Sequence, residues 1–227
     1  MANTAPLVIV AGAGAGLGQA LLARFQAGGF TPVGLGRSRL EAPVGQFHAL
    51  DLADATALPA AMAQIIAEHG APRVVIHNAA ELVIGPFVDA HLSDFQRTWT
   101  SMVQSAVLLA QATLQPMVRA GGGAFIVSGA TASLRGGARF SAFASAKFAL
   151  RGLTQSLARE FQPAGIHVSH VILDGIIDTD RSRALHSLDP TKMMRPTEIA
   201  EAYWQLAHQP TSTWTHELDL RPASEGF

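Results

Sequence analysis

A short apolar run, LVIVA at residues 7–11, passes directly into AGAGAGLG (11–18), and a helical pattern begins at Leu17. Glycines stand at 12, 14, 16 and 18. Four alternating glycines lose more backbone entropy on folding than a simple chain reversal needs to lose. Between a first strand and a first helix, such a turn lets the backbone approach a pyrophosphate closely. It also presents the free N–H groups and partial positive charge of the helix N-terminus. The chain must therefore fold as strand, tight turn and helix.

The rest of the sequence repeats that order. Strand-length apolar runs at 31–36, 47–52, 73–80 (with its following loop), 123–129, 165–173 and 214–220 alternate with helical patterns at 17–29, 55–70, 92–121, 140–162 and 195–209. The helix over 92–121 has a candidate cap at Ser93 or Asp94, and Gly70 closes the one before it. Repeated β-α-β predicts one doubly wound parallel sheet with helices on both faces, a Rossmann-like domain spanning residues 1–227. Ligands of such sheets bind outside the carboxyl ends of the strands. The stretch 174–194 follows a strand end and lacks periodicity, so it reads as a lid, and 222–227 as a surface tail or partner contact.

Composition narrows the function. With 48% hydrophobic and 15% charged residues, the 227-residue chain can bury a large core. A net charge of −1 argues against a nucleic-acid partner. The absence of cysteine excludes disulfides and thiolate metal sites and fits a cytoplasmic home. The apolar start is too short, and too soon broken by glycine, for a signal peptide, and no membrane span is expected. The nine histidines show no metal-ligand spacing with carboxylates, so no metal site is predicted.

The end of the second strand reads GLGRSR, with Arg37 and Arg39 flanking Ser38 and no carboxylate. A carboxylate there would hold the ribose hydroxyls of NAD, whereas a cation suits the extra phosphate of NADP. NADP is the expected cofactor, with NAD possible. Asp51, after the third strand, is placed either to meet an adenine amino group or to cap the next turn.

Several motifs, in the right order and covering nearly the whole chain, resemble the short-chain dehydrogenase/reductase family. Gly12, Gly16 and Gly18 resemble its Gly-x-x-x-Gly-x-Gly turn, HNAA (77–80) its Asn-Asn-Ala-Gly motif, SAFASAKFAL (141–150) its Tyr-x-x-x-Lys helix, and LDGIIDT (173–179) its Pro-Gly-x-x-x-Thr segment. The resemblance implies a nicotinamide-dependent oxidoreductase whose cofactor is held by Gly12, Gly16, Leu17, Gly18, Arg37, Asp51, Asn78, Lys147 and Thr179. It also implies a homodimer or homotetramer paired through the helices at about 94–118 and 140–162.

The same resemblance puts Phe143 at the catalytic tyrosine, Ala130 (beside Thr131) at the serine, and Met102 near the asparagine, and retains only Lys147. The chain's single tyrosine, Tyr203, reads as a packing residue with a satisfied hydroxyl. Ser141 and Ser145 stand two residues from Phe143, about 200° around a helix, and face away. The candidate substitutes are Ser128 and Thr131 at a strand end and Asp174, either an acid or base of raised pKa or half of an Asp-Gly turn. His77 is either ligand-facing or packed. Phe143, Ala130, Leu134, Phe140 and Ile176 would make an apolar crevice for a small apolar substrate, such as an activated carbonyl, a quinone or an iminium. Lys147, Thr131 and Asp174 are the expected catalytic residues, and a non-catalytic dinucleotide sensor and a pseudoenzyme acting through partners are the alternatives.

Overall fold

The structure is a computed structural model that describes residues 5–38 and 42–225. Seven strands form one sheet: β1 (Leu7–Ala11), β2 (Thr31–Gly36), β3 (Gln46–Ala49), β4 (Val74–His77), β5 (Gly123–Ser128), β6 (Ile166–Leu173) and β7 (Glu217–Leu220). Their order is β3-β2-β1-β4-β5-β6-β7, and every pairing is parallel. The doubly wound α/β fold expected from the alternation is the observed one. β1 pairs with β2 on one side and β4 on the other, so the winding reverses at the β1/β4 seam, where such sheets open a ligand crevice.

Alternation along β1 divides its side chains between two cores. Leu7, Ile9 and Ala11 pack towards α2 (Ala57–His69), α4 (Ser105–Arg119) and α5 (Ser141–Phe161). Val8 and Val10 pack towards α1 (Leu17–Ala27) and α7 (Pro196–Ala207). β6 is buried along all eight of its residues, as expected for a strand covered on both faces.

Two expectations are corrected. The helix expected over 92–121 is interrupted: α3 (Leu92–Trp99) runs into a π-helical turn, Thr100–Gln104, before α4 begins. Its cap residue is His91, and Asp94 accepts the His91 N–H at 3.1 Å from inside the first turn. The 174–194 stretch carries α6 (Asp180–Leu185) and is closed by pairing of Ile177 with Met194. Nothing in the hydrophobic period marks either feature, because a six-residue helix and a one-residue bulge barely perturb it. Arg39 and the end of the 222–227 segment lie outside the described residues. Among the described residues no helix is long and apolar enough to cross a membrane.

Candidate active site

The site begins with the register of β1 on β4. Ala11 lies level with His77, so the two strands end together and their following loops touch. The Asn78 N–H donates to Ala11 O at 2.7 Å, and the Asn78 amide donates to Gly12 O at 3.1 Å. On the other side, the N–H groups of Gly12 and Ala13 both donate to Leu35 O, at 2.9 and 3.0 Å. Gly12 has φ +91°, and a Cβ there would stand 2.5 Å from the Ala79 nitrogen. Only glycine satisfies both the left-handed backbone and that approach. The cap of α1 is Gly16, which offers no side-chain acceptor to the first-turn N–H groups.

These contacts hold open a cavity of about 460 Å³ at the carboxyl ends of β1, β2 and β4. Its wall contains Gly12–Ala15, Gly36–Ser38, Asp51, Asn78–Ala80, Ser101 and Arg181. Of the residues expected to hold a cofactor, Gly12, Arg37, Asp51 and Asn78 are thus brought together. Leu17 and Gly18 are buried at the start of α1 behind the turn. Asp51 keeps both of its expected roles in play, since it lines the cavity and also accepts the Ala53 N–H at 3.0 Å. The shape and donor set fit a dinucleotide: open backbone at the turn, cations at Arg37 and Arg181, and an acceptor at Asp51.

Lys147 is buried and does not line this cavity. Its ammonium donates to Ser128 O at 2.9 Å, and burial lowers its pKa to about 8. Phe143, one turn earlier, is half-buried, with its ring centre 5.7 Å from the Lys147 ammonium. His77 is packed: it is fully buried, with Nε2 2.8 Å from Ser105 Oγ, and burial together with the Lys147 charge lowers its pKa to about 3. Met102 is fully buried within the π-helical turn.

Ser128, Thr131 and Asp174, the candidate catalytic residues at the strand ends, are engaged with other side chains. Ser128 turns its hydroxyl to Tyr203 at 2.8 Å, within the core on the α7 side. That contact satisfies the buried tyrosine, whose pKa burial raises. Asp174, expected either as an acid or base in the crevice or as half of an Asp-Gly turn, takes neither place. It is completely buried and stands between two guanidinium groups, 3.2 Å from Arg221 and 3.7 Å from Arg135. Thr131 donates to the same carboxylate at 2.5 Å, so the two candidates bind each other. The Asp174 N–H also donates to Leu220 O at 2.8 Å. The carboxylate therefore ties the loop after β5 to the chain leaving β7. Ser145 is exposed and donates to Ala142 O at 2.9 Å, away from the crevice as its helical phase requires.

This geometry makes Asp174 a structural latch. Asp174→Asn should lower stability by about 2 kcal/mol, because it leaves two cations facing a buried neutral group. In a chain of this size that is a fall of roughly 4–8 °C in thermal midpoint. Calorimetry of the variant, with turnover measured per folded molecule, checks it; lost turnover at an unchanged midpoint would instead give Asp174 a chemical role.

Sequence reasoning missed Glu81, Ser101 and Arg181. Glu81 lies 3.6 Å from Arg37 and 2.9 Å from Arg97, and accepts from Ser101 Oγ at 3.3 Å. Only the position of Glu81, immediately after the HNAA loop, could have suggested it. Ser101 and Arg181 reach the cavity through the π-helical turn and α6, neither of which had a sequence signal. Among the described residues no group of three histidine or carboxylate side chains is gathered to hold a metal.

A family model described as short chain dehydrogenase matches residues 6–189. The D-threitol dehydrogenase of Mycolicibacterium smegmatis is 27% identical over 216 residues, covering 86% of this chain and 83% of that enzyme. A short-chain dehydrogenase structure from Rhodopseudomonas palustris is 34% identical, superposes with a TM-score of 0.80 and covers 96% of this chain and 98% of its own. A tyrosine-to-phenylalanine variant of ElxO, solved with NADPH bound, superposes with a TM-score of 0.86 at 20% identity, covering 95% and 96% of the two chains.

Proposed function

Since the chain belongs to the short-chain dehydrogenase family, we propose that it is an NADP(H)-dependent oxidoreductase that works without the family's usual acid. The observation that carries this reading is the cavity at the β1/β4 seam, where the glycine turn, Arg37, Asp51 and Asn78 converge. The NADPH-bound ElxO variant supports it by analogy of fold: a phenylalanine replaces a tyrosine there and the dinucleotide still binds.

The nicotinamide, when bound, supplies or accepts a hydride. The residues of this chain divide the remaining work. Gly12, Gly16, Leu17 and Gly18 shape the turn and the start of α1 for the diphosphate. Arg37 meets the 2′-phosphate, since no carboxylate follows β2 to hold free ribose hydroxyls. Asp51 and Asn78 orient the adenine and the nicotinamide half, and Lys147 and Thr179 complete the nicotinamide end. Phe143 offers no proton, with Ala130 at the neighbouring serine position. The substrate is therefore an apolar molecule that accepts hydride without strong acid catalysis, such as a quinone, an iminium or an activated carbonyl. The half-buried side chains of Leu134, Phe140, Phe143 and Ile176 suit such a ligand. Trp99 and Phe148, exposed at 47% and 44% on α3 and α5, support a homo-oligomer paired through that face.

Thermal unfolding with NADPH and with NADH tests the reading. At a hundredfold excess over Kd the better ligand should add about 2.7 kcal/mol of stability. Arg37→Ala should weaken NADP⁺ binding about tenfold and leave NAD⁺ binding unchanged. No rise with either dinucleotide would refute the proposal.

A further inference from the structure

Arg181, the second cation of the cavity wall, has no group of the dinucleotide assigned to it. Arg181 lies on α6, in the segment whose neck is closed where Ile177 pairs with Met194. The Met194 N–H donates to Ile176 O and the Asp178 N–H to Met194 O, each at 2.8 Å. At this neck Thr179 caps α6 by accepting the Ser182 N–H at 3.1 Å. The Thr179 methyl group stands 2.6 Å from where a Cβ on Gly16 would lie, so a glycine is needed for the segment to rest against the turn. The segment is thus held at its base and braced on the glycine turn.

The two neighbouring arginines of α6 differ. Arg183 forks onto the Asp178 carboxylate at 2.6 and 2.8 Å. Arg181 shares the cavity wall with Gly12–Ala15, and among the described residues no carboxylate pairs with it. The other arginine of the wall, Arg37, has Glu81 3.6 Å away. The glycine turn contributes backbone dipoles but no full charge, and Asp51 adds a negative one. A dianionic diphosphate in this cavity needs a cation, and a guanidinium is the group best shaped to fork onto phosphate oxygens.

We propose that Arg181 is the residue that pairs with the diphosphate bridge of the dinucleotide. It completes from α6 what the glycine turn begins from β1. The assignment rests on the dinucleotide reading above. It predicts a loss of affinity independent of the 2′-phosphate, because NAD⁺ and NADP⁺ share the diphosphate.

Titration calorimetry of the full chain with NADP⁺ and NAD⁺ tests it. Arg181→Ala should weaken both about 10–100-fold and leave their ratio unchanged, whereas Arg37→Ala should change the ratio. Arg181→Lys should recover part of the loss, since it restores the charge without the fork. The unliganded thermal midpoints of the variants should match the parent, because Arg181 is exposed and is paired with no carboxylate among the described residues. Unchanged affinity in Arg181→Ala overturns the proposal, as does a loss confined to NADP⁺, which would place Arg181 on the 2′-phosphate. If the parent chain binds neither dinucleotide, the dinucleotide reading itself fails, and this assignment falls with it.

Discussion

Phe143→Tyr should raise carbonyl–alcohol turnover by about 10²–10⁴-fold, the usual contribution of a positioned general acid. The Phe143 ring centre is 5.7 Å from the Lys147 ammonium, and the ammonium is fixed by its hydrogen bond to Ser128 O at 2.9 Å. A phenol beside that fixed cation would have a lowered pKa, since a nearby positive charge favours the phenolate. The ring is half-buried, so one added oxygen can be accommodated without disturbing the core. Ala130→Ser in the same chain would add a donor to the substrate oxygen, worth about another 10²–10³-fold where the geometry is correct. Ultraviolet titration of the new phenol, set beside turnover of a plain ketone with NADPH, checks both steps. A phenol titrating near its ordinary value, with no gain in turnover, would mean that Phe143 does not face the reacting position.

Stability should fall steeply as the pH drops below about 6.5. His77 and His170 are both fully buried. His170 has Nε2 3.0 Å from Ser133 Oγ and Nδ1 3.5 Å from Thr154 Oγ1. Burial first, and then the charge of Lys147, lowers each pKa to about 3. The unfolded chain binds these protons near pH 6.5 and the folded chain does not, so between about pH 6.5 and 3 the unfolded state holds more protons. The stabilisation is fully present above pH 6.5 and is lost progressively down to about pH 3. Each histidine contributes roughly 1.4 kcal/mol per pH unit, so at pH 4.5 the pair removes about 5 kcal/mol. That is a large part of the 5–15 kcal/mol by which domains are typically stable. Urea melts at pH 7.5, 6 and 4.5 measure the effect. His170→Gln should remove about half of the slope, and an undiminished slope would assign the acid sensitivity to other groups.

The fold was legible in the sequence because each piece of it is a local matter. Glycines 12 to 18 between an apolar run and a helical pattern, and the repeated alternation after them, require a parallel sheet whatever the packing details. That Gly12, Arg37, Asp51 and Asn78 line one cavity was legible for the same reason. Gly12, Arg37 and Asn78 each directly follow a strand and Asp51 stands two residues past one, and parallel strands deliver their carboxyl ends to one edge. The catalytic end was less legible. Thr131 and Asp174 also follow strands, but their side chains meet each other and two arginines, one of them 47 residues further along the chain at Arg221.

By itself, then, the sequence determined the strand–turn–helix start, the doubly wound order and the family resemblance. These depend on backbone freedom, periodicity and residue identity, which are properties of neighbours along the chain. Only the tertiary structure decided that Asp174 is a buried latch, that Ser128 serves Tyr203, that a π-helical turn interrupts the third helical pattern, and that Arg181 shares a cavity wall with the glycine turn. Each of those depends on which side chain from a distant segment fills the next position in space. Charge pairing and hydrogen-bond satisfaction settle that question, and neither leaves a period in the sequence.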